Sequence, residues 1–186
     1  MPFEKTHIPG LIVFQPKLFT DSRGYFLESY NKRAFKDEGI NCDFVQDNIS
    51  KSSYGVLRGL HYQLNPYAQA KLVRVLSGQV LDVVVDIRKG SPTFGESFSV
   101  VLDSQKQNQL LIPRGFAHGF VVLTPEAEFF YKCDNYYAKE SEGGIIYNDK
   151  DLSIDWKVDP ADLILSEKDV KLPNFKNAIN NFEYDA

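Results

Sequence analysis

Cysteine is the first scarcity of this chain. Among 186 residues there are two, Cys42 and Cys133, far apart and without any C-x-x-C spacing. That excludes a disulfide framework and a zinc knuckle, and leaves two reduced, packed thiols. Cys133 stands two residues from Tyr131 on the same strand face, but nothing identifiable nearby would activate it as a nucleophile. An excess of positive charge is also missing. Lys and Arg total 21 against 25 Asp and Glu, a net charge of −4, which speaks against non-specific nucleic-acid binding. No apolar run approaches a membrane span, and Met1-Pro2-Phe3-Glu4-Lys5 does not open a signal peptide, so the expected location is the cytoplasm. Repeats, low-complexity tracts and linkers are absent. One domain over 1–186 is expected, with a barrel core at about 40–135 flanked by N-terminal strands over 10–31 and a C-terminal segment over 140–186.

What the chain has is aromatics, 13% of the total with 14 Phe and 10 Tyr, set in short β-forming runs. Leu11 to Phe14 reads as a strand ended by Pro16, and Tyr25 to Tyr30 as another after the turn Thr20-Asp21-Ser22-Arg23-Gly24. Asn31 to Lys36 has a helical look, with Asn31 as N-cap and Gly39 as stop. Strands then follow at Asp43–Ile49, Val56–Gln63, Leu72–Leu76, Gln79–Ile87, Ser97–Leu102, Gln109–Ile112, Phe116–Leu123 and Phe129–Cys133, punctuated by Gly and Pro. Such spacing predicts an all-β sandwich or barrel of antiparallel sheets. Beyond Gly143-Gly144 the pattern loosens to a last strand at Leu163–Leu165 and a short helix capped by Ser166-Glu167-Lys168-Asp169.

Histidine is scarce as well, three in all, and one of them lies in Val56-Leu57-Arg58-Gly59-Leu60-His61-Tyr62-Gln63. Strand alternation puts Gly59, His61 and Gln63 on one face, with Leu57 at its end. Such a face makes a poor core and a good wall for a polar pocket. Taken alone, His61 reads as a core imidazole hydrogen-bonded to backbone. Its company argues otherwise: Lys71 opens a strand whose same-face residues are Val73 and Val75, and Tyr131 lies within a third. A lysine on an apolar face either snorkels to the rim or serves a pocket. Three proton-handling groups can converge on one cavity.

Ile112-Pro113-Arg114-Gly115-Phe116-Ala117-His118-Gly119-Phe120 carries a Pro-x-Gly-x-x-His core. It resembles the second motif of the cupin superfamily and implies an all-β, cupin-type double-sheet jelly-roll barrel with a few short helices. Many cupins hold a metal through a His-x-His pair, a carboxylate and this later histidine. Here the pair is broken at His61-Tyr62-Gln63, His7 lies near the N-terminus, and Lys71 would repel a cation, so metal-free chemistry is favoured.

A longer set of segments resembles one family over nearly the whole chain. Arg23-Gly24-Tyr25-Phe26, Gln46-Asp47-Asn48, Arg58-Gly59-Leu60-His61, Lys71, Gly90-Ser91-Pro92-Thr93-Phe94-Gly95, Pro113 to Phe120, Tyr131 and Ser166-Glu167-Lys168-Asp169 are similar to dTDP-4-dehydrorhamnose 3,5-epimerases. The resemblance implies an isomerase that inverts C3 and C5 of a dTDP-4-keto-6-deoxyhexose by removing protons alpha to the ketone. The reaction needs no cofactor. It implies His61 as base, Asp169 orienting its ring, Tyr131 as acid and Lys71 beside the enolate oxygen. It places Arg23, Arg58 and Lys168 near the diphosphate. Glu28 and Gln46-Asp47-Asn48 would hold base and sugar, Tyr137 would stack on thymine, and His118 and Glu142 complete the substrate site. Without the family, Asp169 reads as a helix-start carboxylate, Tyr131 and Tyr137 as packed aromatics, and the cations as solvated surface charges.

The resemblance further implies a homodimer with N-terminal strand exchange, in which Arg23 and Glu28 serve the partner's nucleotide site. The apolar strand Leu11–Phe14 gives this modest physical support, since an exposed strand needs a partner. The implied pathway is dTDP-L-rhamnose synthesis for cell-surface polysaccharide. Three alternatives stand beside it: a mono-epimerase or ketoisomerase of a related sugar, a non-catalytic cupin that binds a nucleotide sugar, and a metal-dependent cupin oxygenase.

Overall fold

The computed structural model describes residues 2–185. Thirteen strands form three antiparallel sheets among these residues. In chain order they are β1 (Phe3–Lys5), β2 (Ile12–Phe14), β3 (Phe19–Asp21), β4 (Gly24–Phe26), β5 (Gln46–Ser53), β6 (Leu57–Gln63), β7 (Lys71–Ser77), β8 (Gln79–Asp86), β9 (Ser97–Asp103), β10 (Gln109–Ile112), β11 (Phe116–Val122), β12 (Glu126–Cys133) and β13 (Glu142–Gly144). The first sheet runs β1-β2-β10-β7-β12-β5, the second β13-β6-β11-β8-β9, and β3-β4 is a separate hairpin. Two facing sheets give the expected double-sheet jelly roll.

Side chains alternate across each strand, so each sheet offers one face to the barrel interior and one outward. Val73, Val75, Val80, Val84, Phe120 and Phe129 meet between the sheets. The outer face of the smaller sheet is covered in turn: Leu60, Leu81, Val83 and Val121 pack under Ile145, Trp156 and Phe182 of the C-terminal segment. β8 is therefore buried on both faces along nearly its whole length, which explains its run of valines. Helix α1 (Lys32–Asp37) covers the outer face of the larger sheet. Asn31 Oδ1 caps it by accepting from Arg33 N at 3.0 Å and Ala34 N at 3.3 Å, as its sequence predicts. Its buried Phe35 lies against Phe3, Phe14 and Tyr30, with ring centres 4.9 to 5.1 Å away.

Several expectations need correction. β4 stops at Phe26, well short of Tyr30. Leu163–Leu165 contributes one bridge, Ile164 to Val56, because no neighbouring strand edge continues the ladder. Ser166–Asp169 leads into a single 3-10 turn, Asp169–Lys171. The apolar strand near the N-terminus is not waiting for a partner: β2 pairs with β1 on one side and β10 on the other within its own sheet. The Gly90–Gly95 motif turns out to be a fold element. Buried Asp86 accepts from Arg88 Nε at 2.8 Å, Ser91 Oγ at 2.6 Å and Thr93 Oγ1 at 2.8 Å, which pins this loop to the end of β8.

Candidate active site

His61 owes its position to an irregularity in β6. Opposite β11, His61 pairs with His118 and Arg58 with Phe120, so three residues of β6 span what two span on β11. The extra residue is a bulge, and it shifts the alternation by one. Arg58, not Gly59, therefore shares the inward face with His61, while Leu57 packs on the outer side. The strands touch at this point. A Cβ on Gly59 would lie 2.6 Å from Gly119 Cα, and the residue has φ +126°, so only glycine fits. The expected face of Gly59, His61 and Gln63 is corrected accordingly. Gln63 is spent on tethering the next loop: its Nε2 donates to Tyr67 O at 2.7 Å, and its Oε1 accepts from Ala138 N at 2.7 Å.

Between the two sheets opens a cavity of about 560 Å³ lined by Ser50, Arg58, His61, Lys71, His118, Phe129, Tyr131, Lys168 and Asp169 among others. His61 Nε2 lies 2.5 Å from Asp169 Oδ1 across 108 residues of chain. Asp169 is almost wholly buried, and Ser166 orients it: Ser166 Oγ donates to Asp169 Oδ2 at 2.9 Å and accepts from Asp169 N at 3.1 Å. Both bonds run through the one hydroxyl, which ties the Asp169 side chain to its own backbone and aims the carboxylate. Burial acts to raise the Asp169 pKa, but His61, Ser166 and Lys168 outweigh it, and the carboxyl lies below its ordinary value.

Tyr131 projects inward from β12, with the Lys71 ammonium 5.8 Å from its ring centre. Burial raises the phenol's pKa, Cys133 adds to this, and Arg58 opposes it, so the hydroxyl keeps its proton. Burial lowers the pKa of Lys71, and Cys133 and Asp82 partly restore it. His118 Nε2 sits 2.9 Å from Asp82 Oδ2. Arg58 is steadied by Ser52, whose Oγ accepts from Nε at 3.3 Å and Nη2 at 3.2 Å.

At the rim, Lys168 Nζ donates to Glu142 Oε2 at 2.5 Å and Tyr137 Oη to Glu142 Oε1 at 3.0 Å. Burial works to raise the Glu142 pKa, yet these two donors hold it low. Gln46 and Asn48 lie on the inward face of β5, joined by a 3.1 Å hydrogen bond, and Tyr137 N donates to Gln46 Oε1 at 3.2 Å. Asp47 alternates outward and pairs with Lys132 at 2.9 Å, so its carboxylate does not join Gln46 and Asn48. Arg23 and Glu28 are not brought to this cavity within one chain. Arg23 forks onto Asp21 of its own exposed hairpin, and Glu28 accepts from Asn31 Nδ2 at 3.0 Å.

Sequence reasoning missed Asp82, Ser50, Ser52 and Ser166. An aspartate inside Gln79-Val80-Leu81-Asp82-Val83-Val84-Val85 was a usable signal, since a valine run buried on both sides has no place for an unpaired carboxylate. For Ser50 and Ser52 the inward alternation from Gln46 through Asn48 is the available clue, and for Ser166 its place three residues before Asp169.

Fold and cavity together define the class: a cupin-type double-sheet barrel with an acid–base pocket between its sheets. A family model described as dTDP-4-dehydrorhamnose 3,5-epimerase matches residues 5–177. The chain is 54% identical over 175 residues to the dTDP-4-dehydrorhamnose 3,5-epimerase of Shigella flexneri, covering 94% of this chain and 96% of that protein. A crystal structure of the Elizabethkingia anophelis enzyme of the same name superposes with a TM-score of 0.91 at 56% identity, over 94% of this chain and 96% of that one. The dTDP-6-deoxy-D-glucose-3,5-epimerase of Legionella pneumophila, solved in complex with dTDP-4-keto-L-rhamnose, gives a TM-score of 0.94 at 46% identity, over 99% and 98% of the two chains. The chain belongs to the dTDP-4-dehydrorhamnose 3,5-epimerase family.

Proposed function

We propose that this chain inverts C3 and C5 of dTDP-4-dehydro-6-deoxy-D-glucose to give dTDP-4-dehydro-L-rhamnose. The observation that carries the residue roles is the 2.5 Å His61–Asp169 pair opening onto the cavity that also holds Tyr131 and Lys71. A proton alpha to the C4 ketone leaves to the His61 ring nitrogen not bonded to Asp169. The electron pair moves onto the ketone oxygen, and the buried Asp169 carboxylate stabilises the imidazolium that forms. Lys71 and His118 meet the enolate oxygen, where preorganised donors stabilise charge as it develops. Tyr131 then gives its proton to the opposite face of the carbon and the centre is inverted; exchange with solvent takes the proton from His61 and returns one to Tyr131 before the second centre reacts. The change is redox-neutral, so base, acid and oxyanion partner suffice.

Arg58 and Lys168 bind the diphosphate, and Gln46, Asn48, Tyr137 and Glu142 receive the thymidine end. Among the described residues no helix is long and apolar enough to cross a membrane. We place the enzyme in the cytoplasm, supplying dTDP-L-rhamnose for cell-surface polysaccharide. The test is the product: NMR of the reaction should reveal a sugar inverted at both centres. Inversion at one alone would make it a mono-epimerase, and binding without turnover would make it a nucleotide-sugar carrier.

We further propose a homodimer with shared pockets. The β3-β4 hairpin presents Phe19, Tyr25 and Phe26 to solvent, all more than half exposed, and carries Arg23 at its turn. Contiguous exposed aromatics of this kind mark an interface. By two-fold symmetry each hairpin reaches the other subunit's cavity. Mixing His61→Ala with Arg23→Ala subunits under exchange should recover activity, because each heterodimer then has one intact pocket. Proven mixing without recovery would contradict shared sites.

A further inference from the structure

Asp82 is the one charged side chain set mid-strand in β8, and it is fully buried. Val80 and Val84 on its own face belong to the core between the sheets. One carboxylate oxygen bonds His118 Nε2 at 2.9 Å; the other, Oδ1, has no hydrogen-bond partner among the described residues. A half-satisfied carboxylate in a valine strand costs stability, and packing alone would favour a hydrophobe there. The titratable groups that face it are His118 from β11 and Lys71 from β7, with Cys133 of β12 next to Lys71.

His61 and His118 are direct cross-strand partners on the same face, and each has its own buried carboxylate. Turnover places a proton on His61 beside a cavity that already holds the Lys71 side chain, so positive charge accumulates at one spot. We propose that Asp82 is a positioning residue for the epimerisation: it fixes the His118 ring on the cavity wall, and its negative charge balances Lys71 beside the ketone. The inference rests on the epimerase reading of this cavity. Asp82 does not touch the substrate and acts through its two neighbours.

Asp82→Asn keeps the shape and still accepts a hydrogen bond from His118, but removes the charge. We expect kcat to fall about 10²-fold, as for loss of a preorganised electrostatic contact, while KM and dTDP affinity stay within about threefold. The melting temperature of Asp82→Asn should hold, whereas Asp82→Val, which strips buried His118 of its hydrogen bond and Lys71 of its counter-charge, should be equally slow and melt earlier. The Asp82→Asn result separates the proposal from a structural role, for which activity, affinity and melting temperature would fall together. An unmutated protein that turns over beside an Asp82→Asn variant within about threefold of it overturns this inference alone. An inactive unmutated protein overturns the epimerase reading and this inference with it.

Discussion

His61→Ala should lose about 10⁴-fold in kcat, the upper range for removal of a general base, with dTDP affinity within about threefold of the unmutated protein. The asymmetry follows from where the groups stand. In the proposed site nucleotide binding draws on Arg58, Lys168 and the β5 amides, none of which hydrogen-bonds His61. Proton abstraction has only the imidazole that Asp169 orients. Truncation leaves room beside Asp169, so added imidazole should restore part of the lost rate. Stopped-flow or NMR assays of turnover, with dTDP titration by calorimetry, check both halves. Turnover within tenfold of the unmutated protein would move the base elsewhere in the cavity.

Lys71→Met comes next in size, with an expected loss of about 10²- to 10³-fold in kcat. Methionine keeps the length and apolar stem of lysine and removes the charge proposed to meet the enolate oxygen. Stability should move the other way. Burial lowers the folded-state pKa of Lys71, so the unfolded chain holds this proton more tightly. Folding therefore loses stability as pH falls below the unfolded lysine value, and at neutral pH the charged side chain is a burden on the fold. Methionine removes that burden, and the melting temperature should hold or rise while activity collapses. A variant that melts earlier and loses activity in proportion would make Lys71 a structural residue.

Local signals in the sequence carried the strand series, the Asn31-capped helix and the inward side of Lys71, Val73 and Val75. Each depends on near neighbours in the chain. The bulge at Gly59 does not, because it arises where β6 meets β11, and it exchanges Gly59 for Arg58 on the His61 face. The pairing of His61 with Asp169 spans 108 residues, and only family resemblance joined them before the structure gave the distance. Adjacency in the chain groups Asp47 with Gln46 and Asn48, although alternation along β5 sends it outward to Lys132. Arg23 and Glu28 stand apart from the cavity within one chain, and under the proposed dimer their site lies on a second copy. Asp82 was legible but unread, a carboxylate in a run of valines.

In the proposed reaction protons leave and return at both carbons flanking the ketone. Incubating the unmutated protein with dTDP-4-dehydro-6-deoxy-D-glucose in deuterated water, and following C3 and C5 by NMR, tests it most directly. Deuterium should enter at both positions of the product at the rate of turnover. Absence of exchange at either carbon, with substrate bound, would contradict inversion of both centres.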